Sequence, residues 1–343
     1  MVHLRYAIAS LLAVASLLQS CRAFFDPITI GYVSFGVGSA ALGWLKRGYL
    51  AEITYCKFEE CCMKPYLKND VEGLRIQLQR NLFGQHIVED ALIDALRGHF
   101  INIERSRKPL VMCFDGTTGT GKNYVADFII SSLFEKGINS KYVHKYTADF
   151  WFKYPANMVT SKLIGEIKQS IRACPYSLFV FDETQQMPKG ALDSLVALLD
   201  HHTSSPEYDY TKSIFIFLSN NAGAEIAKQL KRLLDSGSYR DKTKLVDFER
   251  TIELAVYNMV GALKSSNLIQ SNVIDHFIPF LPLEERHAKQ CIEKEFELFC
   301  PGRKTQAKIE EVAQMTITLD ADGLFQNSGC KRISKKVEAM CYN

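Results

Sequence analysis

Gly116-Thr117-Thr118-Gly119-Thr120-Gly121-Lys122-Asn123 follows an apolar run at 110–114 and opens a segment of helical character. A strand that turns into a helix through glycines directs successive backbone N–H groups at one point, beside the positive helix end, where a β-phosphate can accept them. Lys122 is then placed to reach the β- and γ-phosphates. The last letter departs from the usual phosphate loop. Asn123 stands where Ser or Thr would offer magnesium a hydroxyl, and an amide carbonyl has a different reach. Taken alone, the stretch also fits a tight turn between strand and helix, so the reading depends on partners elsewhere in the chain.

Two such partners are present. Ser177-Leu178-Phe179-Val180-Phe181-Asp182-Glu183 reads as a buried strand ending in two carboxylates, the pattern of a magnesium-holding Asp followed by a water-activating Glu. Ser213-Ile214-Phe215-Ile216-Phe217-Leu218-Ser219-Asn220 reads as a third strand, ending in a polar amide. All three motifs fall at strand ends, where open α/β sheets bind ligands. They predict an α/β fold that binds a nucleoside triphosphate and Mg²⁺.

Around this frame the chain alternates helix and strand from residue 74 onward. Helices are expected at 88–99, 122–135, 161–172 and 190–200, with a further strand at 142–146, which implies a mostly parallel sheet with helices on both faces. Beyond Phe277-Ile278-Pro279-Phe280-Leu281-Pro282 the character changes to charged helices at 283–299 and 309–315. Residues 51–282 are read as the nucleotide-binding domain and 283–343 as a small helical subdomain.

Composition narrows the setting. The chain has 343 residues, 47% hydrophobic and 23% charged, with net charge +3 and no long basic block, so nucleic acid is not an expected partner. The N-terminus has a basic start, an apolar stretch at 6–18 and a small residue, Ala23, suited to cleavage: residues 1–23 read as a signal peptide. Residues 24–50 hold a second apolar segment, at 28–45, rich in Gly, Ala and Ser. It is long enough to insert in a membrane or barely to span it, and a buried helix pair is the other reading. Ten cysteines suit an oxidising compartment, and removal of Cys21 with the signal leaves nine, so at least one is free or paired between chains. Cys56, Cys61 and Cys62 lack the Cys-x-x-Cys spacing of zinc sites, which favours disulfides.

These motifs together resemble a torsin, a member of the AAA+ superfamily related to the Clp-type unfoldases. The resemblance is carried by the cysteine group at 56–62, Asn81-Leu82-Phe83-Gly84-Gln85-His86, the phosphate loop with Asn123, Ile216-Phe217-Leu218-Ser219-Asn220, Phe280-Leu281-Pro282-Leu283-Glu284, and Gly329-Cys330-Lys331. It implies a P-loop AAA+ large domain followed by a helical lid. It also implies an ATPase of the endoplasmic reticulum lumen and perinuclear space, membrane-associated and weak alone.

The family pattern assigns the phosphates to Lys122, cradled by the loop from Gly116 to Asn123. It gives Mg²⁺ to Asp182 through water, the attacking water to Glu183, and the γ-phosphate to Asn220, with Asn221 one residue away as the alternative. Lys331 would be the second sensor. Cys330 would pair with Cys291, either to couple redox state to nucleotide or as a plain structural bridge. No arginine here is assignable as a finger, Arg286 being equally a charged helix surface. The family obtains one in trans from membrane-anchored activators with luminal ATPase-like domains, of the lamina-associated polypeptide type. A homo-oligomer, or a hetero-oligomer with the activator, acting on a protein substrate at a membrane surface is the expected assembly. The aromatic stretch Phe150-Trp151-Phe152-Lys153-Tyr154-Pro155 occupies the region of a substrate-gripping pore loop, though aromatics are more often core. A nucleotide-gated binding module is the rival to a hydrolysing chaperone.

Overall fold

The computed structural model of the protein describes residues 56, 59–63, 66–200, 207–258 and 273–342. The expected signal peptide and the apolar segment at 24–50 lie outside the described residues. By its contacts the chain forms two units, residues 1–61 and 62–343. In the first, Cys56 and Cys61 are joined by a disulfide; the rest of the description concerns the second.

Strands β1 (Leu110–Gly116), β2 (Val143–Tyr146), β3 (Leu178–Phe181), β4 (Ile214–Ser219) and β5 (His276–Phe280) form an all-parallel sheet in the order β2-β3-β4-β1-β5. The inner strands β1, β3 and β4 read as nearly unbroken apolar runs because helices cover both faces, while the outer β2 carries His144 and Lys145. Side chains still alternate. Phe179, Phe181, Phe215 and Phe217 point to one face, while Val180, Ile216 and Leu218 point to the other. Across β3 and β4 the rings stack, Phe179 on Phe215 at 4.7 Å and Phe181 on Phe217 at 4.8 Å. Truncating any one of these fully buried rings removes about 3–5 kcal/mol of stability.

One face is covered by α1 (Val71–Asn81), α2 (His86–Ile101) and α3 (Lys122–Leu133), through Leu74, Leu92 and Ile129 among others. The other is covered by α5 (Ala156–Ala173), α6 (Lys189–Leu199), α7 (Gly223–Asp235) and α8 (Val246–Asn258), with Leu163, Leu195, Ile226 and Phe248 in its core. A short α4 (Ala148–Phe152) lies between β2 and α5. The C-terminal helices α9 (Glu285–Phe299), α10 (Gln306–Thr316) and α11 (Ile333–Met340) gather a separate cluster around Ile292, Phe296, Val312 and Val337. This is the helical lid after the parallel-sheet domain.

Three features differ from the sequence reading. The Phe277–Pro282 stretch, taken there as a boundary, supplies β5. Pro279 is tolerated because β5 is an outer strand, where a residue without an N–H disrupts little. Helices α1, α4, α7, α8 and α11 are not among those the sequence reading places. The cysteine pairings go beyond the sequence reading: Cys291–Cys330 closes in the lid as the resemblance implies, while two pairings left open there are Cys62–Cys174, which ties the segment before α1 to the end of α5, and Cys300–Cys341 in the lid, with Cys113 free and buried on β1.

Candidate nucleotide-binding site

The glycine loop folds as its composition dictates. Gly119 and Gly121 adopt φ of +82° and +105°, which only glycine reaches without strain, and Gly121 is the N-cap of α3. No side chain caps that helix start, so its free N–H groups are left for a ligand. Thr120 Oγ1 donates to Thr117 O at 2.8 Å and stiffens the loop. Lys122 lies back on its own loop, its Nζ donating to the carbonyls of Gly116 (2.6 Å) and Thr117 (2.9 Å). Burial pulls its ammonium down to about 8, against the opposing attraction of Asp115 and Asp182.

A cavity of about 450 Å³ opens over this loop. It is lined by Thr118, Gly119, Thr120, Gly121, Lys122 and Asn123 from the loop, by Asp182 and Glu183 from the end of β3, and by Asn220 from the end of β4. The lid closes it with Cys291, Lys294, Glu295, Cys330 and Lys331. Gly116 and Thr117 stand behind, as the acceptors that hold Lys122. Asn221 is not among the lining residues; its N–H bonds Ser219 Oγ at 3.0 Å. A larger cleft of about 700 Å³ opens at the other end of the sheet, where β1 and β5 begin, away from the phosphate loop and from Asp182 and Glu183.

The carboxylate pair is held from several sides. Asn123 Nδ2 donates to Asp182 Oδ2 at 2.9 Å, and Glu183 N–H donates to Asp182 Oδ1 at 2.9 Å. Trp151 Nε1 donates to the Asp182 carbonyl at 3.1 Å. Trp151 is thus buried support for the site, while its neighbour Phe152 is 72% exposed; the aromatic stretch divides between core and surface. Glu183 has φ +52° and ψ +47°, a left-handed conformation costing a non-glycine residue about 1–2 kcal/mol.

The lid meets the loop through backbone. Cys330 N–H donates to Gly119 O at 3.1 Å, and a Cβ on Gly119 would meet Ser328 O at 2.0 Å. Cys330 is bonded to Cys291 of α9. The Gly-Cys-Lys triplet is therefore a turn pressed against the phosphate loop, with Lys331 on the cavity wall.

Two residues contribute to the site without a role in the sequence reading, which quotes Gln85 only as part of a motif and does not name Lys294. Gln85, 3% exposed, donates to Thr120 O (3.1 Å) and Leu281 O (2.8 Å) and accepts from Leu281 N–H (2.8 Å), so it ties the phosphate loop to the end of β5. Its neighbour His86 donates through Nε2 to Thr243 O at 2.9 Å. Lys294 adds a lid cation from α9. Nothing in the charged pattern of α9 singled it out.

The residues present fit a nucleoside triphosphate. An uncapped helix start and three lysines, 122, 294 and 331, converge on the cavity, and Leu82, Phe83 and Leu283 give part of its wall an apolar lining suited to a base.

Comparison with known proteins agrees. A family model described as Torsin matches residues 56–181. A Torsin-like protein of Drosophila melanogaster is 42% identical over 323 residues, covering 92% of this chain and 93% of its own. A Torsin-like protein of Caenorhabditis elegans is 35% identical over 289 residues, covering 82% of this chain and 81% of its own, and human Torsin-3A is 32% identical over 311, covering 86% and 77%. Among solved structures, Hsp104 of S. cerevisiae in complex with casein has a TM-score of 0.56 at 16% identity, covering 82% of this chain and 49% of the Hsp104 chain. Hsp104 with ATPγS and casein also gives 0.56, covering 79% and 46%. The chain spans about half the length of those Hsp104 chains, and the likeness is one of fold: an AAA+ parallel sheet with a helical lid. Matched along nearly its whole length by a 42% identical relative, and carrying the phosphate-loop Asn123 and the Gly329-Cys330-Lys331 turn at one cavity, this chain belongs to the torsin family.

Proposed function

We propose that this torsin is an ATP-binding and ATP-hydrolysing chaperone-like protein of the endoplasmic reticulum lumen and perinuclear space. In this reading it is completed in trans by an arginine from a membrane-anchored activator of the lamina-associated polypeptide type. The observation that carries the reading is the convergence of the phosphate loop, Asp182, Glu183, Asn220 and Lys331 on one cavity.

When bound, Mg²⁺ supplies charge neutralisation between the phosphates and lowers the barrier to phosphoryl transfer. Asp182 would hold it through water, with Asn123 fixing the orientation of the carboxylate. Lys122 leaves its two carbonyls for the β- and γ-phosphates, which hold it protonated. Glu183, beyond Asp182, takes the proton of the attacking water. Asn220 hydrogen-bonds the γ-phosphate, and Lys331 brings the lid charge to it.

The trans arginine is part of the proposal because the nearby candidates are committed. Arg240 is buried and bonds Pro282 O, Gly84 O and Glu284, and Arg286 pairs with Glu284 at 2.8 Å. An arginine supplied at this step is worth about 10³ to 10⁵ in rate. Protein assemblies at the membrane surface are the proposed substrates, and the apolar segment at 24–50 the proposed attachment. Glu183→Gln is expected to hold ATP and trap the activator complex, with Glu183→Asp retaining some turnover. A Gln variant with unchanged function would instead favour the nucleotide-gated binding module.

A further inference from the structure

Asp115, the residue before the phosphate loop, belongs to none of the roles above. It is 0% exposed, and one of its two carboxylate oxygens, Oδ2, lacks a close hydrogen-bond partner, although the Ser219 hydroxyl lies near enough to favour the ionised carboxylate. The other, Oδ1, accepts from Ala222 N–H at 2.8 Å, at the start of α7 and two residues beyond Asn220. In the sheet Asp115 lies opposite Ser219 of β4. Around this bond the backbones are in contact: a Cβ on Gly223 would stand 2.7 Å from Thr117 N and 2.8 Å from Gly116 C. The phosphate loop and the Asn220 turn are thus keyed together, with Asp115 at the junction.

Its charge also acts on Lys122. The ammonium rests on the carbonyls of Gly116 and Thr117, the two residues that follow Asp115, within the attraction of that carboxylate. We propose that Asp115 is a positioning residue of the phosphate site: its carboxylate locks the phosphate loop to the Asn220 turn, and its charge holds Lys122 back until a polyphosphate displaces it. The inference rests on the nucleotide reading of the cavity. An ionised Asp115 competes with the phosphates for Lys122 and repels them, so removing its charge strengthens nucleotide binding.

The groups that bear on this carboxyl are few. Lys122 faces it from α3 and Cys113 precedes it on β1, while Asp182 reaches Lys122 from the end of β3; the contacts from β4, α7 and β5 are with Ser219, Ala222, Gly223 and Pro279, which carry no charge. Burial pushes the Asp115 carboxyl up to about 6, against its hydrogen bonds and Lys122.

The test compares ATP affinity of the full chain and Asp115→Asn, by fluorescence of a labelled ATP, from pH 5 to 7.5. The variant keeps an oxygen acceptor for Ala222 N–H and loses the charge. At pH 7.5 it is expected to bind roughly threefold to tenfold tighter than wild type, with the ratio falling toward one as pH drops below about 6. Protonation of the nucleotide itself cancels in the ratio. Asp115→Thr, neutral and also an acceptor, should give the same curve and carries the test if the Asn variant does not fold. A ratio that is one throughout, or below one, or independent of pH overturns the role of Asp115. Absence of ATP binding by wild type overturns instead the nucleotide reading on which it rests.

Discussion

Two glycines separate the effect of the lid contact from that of backbone conformation. Gly137 and Gly329 both have φ +53°, but a Cβ at Gly137 meets nothing within 4 Å, whereas one at Gly329 would stand 2.1 Å from Gly119 O and 2.4 Å from Gly119 C. Alanine at either position adopts the left-handed conformation at about 1–2 kcal/mol. Gly137→Ala should lose only that. At Gly329 the turn must also retreat from the phosphate loop by more than about 1 Å to reach ordinary van der Waals distance. The retreat breaks the 3.1 Å bond from Cys330 N–H to Gly119 O, worth about 1 kcal/mol. Residual overpacking adds about 1 kcal/mol more. Gly329→Ala is therefore expected to be about 2 kcal/mol more destabilising than Gly137→Ala in paired urea titrations. Because Lys331 moves with the turn, Gly329→Ala should also weaken ATP binding about tenfold, while Gly137→Ala leaves it unchanged. Equal losses of stability with equal affinities would refute the claim that the Gly-Cys-Lys turn bears directly on the phosphate loop.

Gln85→Ala leaves two carbonyls and one N–H without their partner, so it should cost about 2–4 kcal/mol in denaturant titration and weaken nucleotide binding by loosening Thr120. Lys122 titrates at about 8 when folded against 10.5 ordinarily, so between those values the unfolded chain binds more protons and this group's contribution to stability rises with pH. Phosphates reverse the shift: ATP binding at pH 8.5 should take up protons, seen calorimetrically in buffers of different ionisation enthalpy, and no uptake would contradict the contact. Cys62–Cys174 closes 112 residues and Cys56–Cys61 only 5. Replacing the first pair by alanine should therefore remove about 4–5 kcal/mol in urea titration, and replacing the second about half as much.

Much of this architecture was legible because its signals are local. Strands buried on both faces need continuous apolar runs, and 110–114, 177–181 and 213–218 are such runs, each ending in polar residues that the sheet brings to one edge. What was missed depends on partners distant in sequence. Pro279 disguised β5, since only its place at the sheet edge makes a proline acceptable. Gln85 matters through Thr120 and Leu281, the latter 196 residues away, and Asp115 through Ala222, 107 residues away. The pairings of Cys62 with Cys174 and of Cys300 with Cys341 likewise follow from the packing of whole helices. Local composition carries no trace of these.

Steady-state ATP hydrolysis by residues 51–343, with and without an activator luminal domain and with Glu183→Gln as the blank, tests the account most directly. Turnover that appears with the activator and vanishes in the Gln variant is the predicted result. Fast turnover by the chain alone would contradict the trans-completed site, and ATP binding without turnover under either condition would contradict hydrolysis as its function.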